Sequence, residues 1–233
     1  MRQAKTIVDK IRAVAKASGR GAAASGDPAG QPAGHPASHP AGDARETDTR
    51  SRIVATAERL YRQVGYQKTT VADIARTLGM SPANVYRFFR SKDEINEAVG
   101  RKLLAEVISA AEAVAASDAP ASTRLRNLLT ALERLNAERF TVEQKLHDLV
   151  AIAISERWDM VTEYVDRMDG ILAGIVADGM AAGEFRKGDP LTAARCVHVA
   201  TMRYTHPRLM VECADFPDPP LDLMLDFCIA ALR

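Results

Sequence analysis

The chain has 233 residues, 47% of them hydrophobic and 26% charged, enough for one large core or two modest ones. Three cysteines without paired spacing, no apolar run long enough to span a bilayer and no apolar stretch after the basic start argue against a disulfide framework, a membrane span and a secretory leader, so a cytoplasmic location is expected. The net charge of +1 is unevenly spread, because residues 49–92 hold nine Lys/Arg against two Asp/Glu while residues 93–233 sum to −8. A basic block joined to an acidic remainder is the footprint of a nucleic-acid-binding module attached to something else.

Abundant alanine, 5% aromatics and the lack of alternating β-branched runs point to an all-α chain of about nine helices. Residues 1–43 read as an N-terminal extension. It has a weak amphipathic stretch with Ile7, Ile11 and Val14 on one side, then a Gly/Pro/Ala/Ser tract (Ser18–Asp43) without apolar periodicity. Regular spacing starts near Thr47, where Ile53, Ala57, Leu60, Tyr61 and Val64 predict an amphipathic helix ending at Gly65. Thr70 and Asp73 form an N-terminal box for a short helix burying Val71, Ile74, Ala75 and Leu78, and Gly79 supplies the turn. Ser81 caps the next helix with Pro82 in its first position, and Ser91 with Glu94 starts a long helix to about residue 115.

Helix, short turn, helix is a DNA-reading arrangement whose second helix, "PANVYRFF", enters a major groove. Val85 and either Phe88 or Phe89 would anchor it, leaving Ala83, Asn84, Tyr86 and Arg87 outward. Asn84 suits adenine and Arg87 suits guanine, so these two are the candidate base readers. For Tyr86 a buried packing role stands beside an exposed one. Residues 44–92 are thus a trihelical DNA-binding head.

The run "GYQKTTVADIARTLGMSPANVYRFFRSKDEI" resembles the head of the TetR (tetracycline-repressor-like) family of bacterial transcription regulators. The resemblance covers roughly residues 49–99 and rests on the Gly-aromatic step, "TTVADIA", "LGMS", the Tyr-x-x-Phe of the third helix and the Lys after Ser91. It implies phosphate contacts for Thr49, Thr70, Tyr86 and Lys92, and Arg50, Ser81 and Ala83 complete the expected DNA-facing set. The stretch "GMAAGEFRKGDPLTAA" is similar to a helix junction in many members. Asn84 departs from the family, which often has a small residue or Thr there, and this leaves the operator sequence open.

Residues 93–233 read as a helical body, with helices over 122–139, 142–156, 159–182, 190–205 and 221–232 punctuated by Pro120, Gly183, Pro190, Pro207 and Pro217–Pro220. The resemblance implies that the last two pair with a second subunit. Leu191, Ala194, Val197, His198 and Thr201 share one face of the first, and Leu221, Met224, Leu225, Cys228 and Leu232 share one face of the second. The resemblance also implies a pocket for a small apolar effector. Phe140, His147, Trp158, Tyr164 and Met168 are candidates to line it, each also readable as ordinary core.

No metal site, cofactor or catalytic residue is expected. Cys196 and His198 are two apart on a helix and point to different sides, and no phosphate loop or nucleophile motif occurs. The reading is a homodimeric, effector-responsive repressor of a double-stranded operator. A ligand-blind regulator or activator, or a helical protein–protein adaptor, are the alternatives.

Overall fold

The computed structural model describes residues 40–142, 149, 158–206, 209–210, 213 and 215–233. Among them are eight α-helices and no strand: α1 Pro40–Val64, α2 Val71–Leu78, α3 Pro82–Tyr86, α4 Lys92–Ala115, α5 Ala121–Val142, α6 Trp158–Ala181, α7 Pro190–Thr205 and α8 Leu221–Leu232. The fold is all-α, as the periodicity predicts. The helix expected over 142–156 lies outside the described residues except at Val142, the end of α5, and at Leu149, which is helical and buried. The described chain divides into two units between Thr49 and Arg50, and the packing below lies within the one from Arg50 to Arg233.

The first helix starts seven residues before Thr47, at a proline, where the missing N–H and preset φ suit a first helical position. Its buried stripe is Ile53, Ala57 and Tyr61, while Leu60 is half-buried. Val64, expected on that stripe, is exposed because the helix ends there and the chain turns away at Gly65, whose φ is 92°. The Thr70–Asp73 box forms: the Thr70 hydroxyl accepts from the Asp73 N–H, and the Asp73 carboxylate accepts from the Thr70 N–H at 3.0 Å. Gly79 closes α2 in the left-handed region, φ 67° and ψ 31°, which a side chain would strain. Ser91 accepts from the Glu94 N–H, and Glu94 in turn accepts from the N–H of Arg90, one residue before the cap.

Two apolar clusters divide within α4. Ile95, Val99 and Leu103 join Ile53, Tyr61, Ile74, Val85 and Phe89 in the head, whereas Val107 and Ala111 join the body. The head's core therefore extends past residue 92. Two polar ties hold α4 to α1. Tyr61 donates its hydroxyl to Asn96 Oδ1 at 2.7 Å, and Lys102 meets the buried Glu58 at 2.6 Å. Burial alone would raise the Glu58 carboxyl, but hydrogen bonds from Lys102 and Arg62 outweigh it and hold the group below its ordinary value.

In the body, α6 packs along α7, and α4, α5 and α8 complete the core. Asp169 on α6 is buried and accepts from Arg195 at 3.0 Å while lying 2.6 Å from His198 Nδ1. The apolar faces of α7 and α8 correct an expectation. Ala194, Val197, Thr201, Leu225, Cys228 and Leu232 are buried inside this chain, and His198 with them. They are not the surface left for a second subunit. Leu191 lies 37% exposed near the start of α7, and Leu221 and Met224 are only partly buried.

The junction "GMAAGEF" has a specific packing role. Gly183 ends α6 with φ 77°, and Glu184 then caps α5 by accepting from the N–H groups of Ala121 and Ser122 at 2.7 and 3.1 Å. Phe185 folds back onto Gly179, where a Cβ would sit 2.3 Å from its ring and 2.9 Å from the Ala121 Cβ. Phe185 is buried and hemmed in by core. Gly179→Ala should therefore cost about 1–3 kcal/mol by overpacking. Calorimetry should show a clear fall in the unfolding midpoint, and an unchanged midpoint would mean that Phe185 repacks freely.

Candidate nucleic-acid interface

The recognition element α3 has only five residues, too few to be stable alone, so its neighbours define it. Ser81 accepts from the Asn84 N–H at 3.2 Å and Pro82 takes the first position, as the sequence predicts. Val85 and Phe89 are buried in the head's cluster, which settles the second anchor as Phe89, and Phe88 is half-buried. The opposite face carries Ala83, Tyr86 and Arg87 exposed and Asn84 half-exposed. Tyr86 is 50% exposed, so its ring is presented rather than packed.

The other expected DNA-facing residues fall in several settings. Thr70 and Ser81 are exposed at the starts of α2 and α3, where N–H groups and dipole favour an anion. Lys92, at the start of α4, donates to the Gln67 carbonyl at 3.3 Å, and partial burial pulls its ammonium below the ordinary lysine value. Thr49 is interior to α1 rather than near its start, and its hydroxyl donates to the Arg45 carbonyl at 2.9 Å. Arg50 is exposed but reaches along the surface to the end of α3. It donates to the Phe88 carbonyl, and its guanidinium lies 4.3 Å from the centroid of the Phe89 ring. The sequence does hold a sign of this, because Arg50 continues the Ile53, Ala57, Tyr61 stripe by one turn.

Of the candidate effector residues, Tyr164 lines a groove of about 370 Å³ between α4 and α6, with Leu104, Ile108 and Met160. Arg101 pairs with Glu163 at 2.6 Å and Arg167 with Glu112 among the groove's lining residues. Met168 belongs to the body's core and is fully buried. His147 lies outside the described residues, as do the side chains of Phe140 and Trp158. Sequence reasoning missed the exposed apolar set Val199, Leu223 and Phe227 on α7 and α8. Its signal was present: α8, "LDLMLDFCIAAL", is apolar on more than one side, so burying one side leaves others exposed.

A capped short helix, anchored by two core residues and presenting polar and basic side chains, marks a helix-turn-helix head, here joined to a larger helical body. Residues 53–99 match the family model for bacterial regulatory proteins of the tetR family, and residues 121–217 match that for the tetracyclin repressor-like C-terminal domain. The chain belongs to the TetR family of transcriptional regulators. It is 24% identical over 138 residues to the HTH-type transcriptional repressor KstR2 of Rhodococcus jostii, covering 59% of this chain and 68% of that protein. A solved TetR/AcrR-family regulator from Thermobifida fusca superposes with a TM-score of 0.59 at 21% identity, over 80% of this chain and 99% of that one. The SmeT–triclosan complex gives 0.57 at 20% identity, over 79% and 91%.

Proposed function

We propose that this regulator is a repressor that binds a near-palindromic operator as a homodimer and leaves it when a small apolar effector binds the body. The observation that carries the reading is the outward face of α3, where Asn84, Tyr86 and Arg87 stand clear of a core-anchored helix. Asn84 and Arg87 read base edges. Tyr86, Thr49, Thr70, Ser81, Ala83 and Lys92 meet the backbone and set the register. Residues 44–92 supply the head's DNA-facing helices, with the start of α4 completing its core, residues 93–233 the effector-binding and dimerising body, and residues 1–43 an extension.

A single head reads few bases, so two must be presented together. The exposed Val199, Leu223 and Phe227 support dimerisation through the outer faces of α7 and α8. The repressor named among the relatives supports the sign of regulation, and the triclosan held by a protein of the same fold supports a small apolar effector. The α4–α6 groove beside Tyr164 is the proposed entry, since α4 runs from the head into the body. An effector that prefers the DNA-incompetent state by about 5.5 kcal/mol would move the population from 1:99 to 99:1.

The test is binding of the full chain to DNA from upstream of its own gene, against scrambled DNA, across a salt series. The expected result is a preference that persists at ~150 mM salt, where screening has already weakened phosphate contacts. Equal, steeply salt-dependent binding to both DNAs would reduce the interface to the charge of the head.

A further inference from the structure

We infer that Arg50 is a positioning residue for sequence recognition: it latches the exit of α3 to α1 and so sets the angle at which the recognition helix is presented. The inference rests on the DNA-binding reading above. Val85 and Phe89 anchor α3 in the head's core with Met80 and Phe88 packed against it, and these apolar contacts are non-directional. Arg50 adds direction. One edge of its guanidinium donates to the Phe88 carbonyl, just past the end of the helix, while its face covers the Phe89 ring at 4.3 Å.

Only a planar fork does both at once; an ammonium would be drawn to one or the other. The base-reading side chains need this fixed angle, because two-point hydrogen bonding to a base edge fails when the helix swivels. Contacts driven by charge alone tolerate it.

The experiment compares the full-length wild type with Arg50→Lys, Arg50→Gln and the neighbouring exposed control Arg52→Lys. It uses upstream and scrambled DNA in a salt series, and amide exchange over residues 86–90 in the free protein. The latch predicts that both Arg50 variants lose discrimination by at least about tenfold, the value of one well-aligned base contact. The lysine variant should keep the wild-type salt dependence, and both should exchange faster over 86–90 while Arg52→Lys does not.

Wild-type discrimination in Arg50→Lys, together with a salt slope reduced by about one in Arg50→Gln, would make Arg50 a phosphate contact and overturn the latch. Unchanged exchange in both variants would overturn it too, without touching the DNA reading. A wild type with no preference between the two DNAs would remove the DNA reading itself, and with it the purpose assigned to the latch.

Discussion

Asn84→Ala combined with Arg87→Ala is expected to erase the preference for operator over scrambled DNA while leaving the protein folded. A well-aligned side chain–base pair contributes about 1–3 kcal/mol of discrimination, so losing two should cost roughly 30-fold to 10⁴-fold. The fold should be indifferent for a local reason. Among the described residues neither side chain has a hydrogen-bond partner, and what fixes α3 is the Ser81 cap and the buried Val85 and Phe89. Binding to scrambled DNA should weaken only by the lost charge of Arg87, seen as a salt slope smaller by about one. Titration of both DNAs at two salt concentrations measures these effects together. An undiminished preference would assign base reading to other residues and leave α3 a backbone contact.

Leu223→Glu with Phe227→Glu should yield a monomer whose operator affinity falls by orders of magnitude. The two side chains are 59% and 71% exposed, a large apolar surface that helix packing within the chain leaves uncovered. Covering a Leu or Phe is worth about 1.5–3 kcal/mol each, and two-fold symmetry counts every residue twice. Four new carboxylates on the same patch add repulsion. The chain's own core should be unaffected, because Leu225, Cys228, Ile229 and Leu232 occupy the inward side of α8. Sedimentation measures the state of association, and operator titration of the same samples measures the consequence. A variant that sediments as a dimer would place the interface elsewhere.

Much of this molecule was legible in the residues. Caps and turns are local, so Thr70, Gly79, Ser81 and Ser91 announced the ends of the head's helices, and the structure places caps and turns there. The stripe of α1 and the outward side of α3 follow from helical periodicity, with Val64 lost because a terminal residue has no further turn to pack under. The start of α1 lies seven residues before the regular spacing begins near Thr47, since a Gly/Pro/Ala tract has no apolar period to mark where a helix begins.

The side on which the body's last two helices face their own chain was not legible. Periodicity shows that Ala194, Val197, Leu225 and Cys228 share faces, but not whether a face meets this chain or another. Nor could a single basic side chain be assigned to solvent, phosphate or protein: Arg50 and Lys92 look alike in sequence, yet Arg50 stacks on Phe89 and Lys92 bonds a turn carbonyl. By itself the sequence determined the all-α class, the head's helices and the outward face of α3, all set by neighbours within a few residues. Only the tertiary structure decided which faces of α7 and α8 are covered, where Arg50 is held and why Gly179 has no side chain. Each of these depends on a partner far away in the chain, and the period of a helix carries no record of which partner that is.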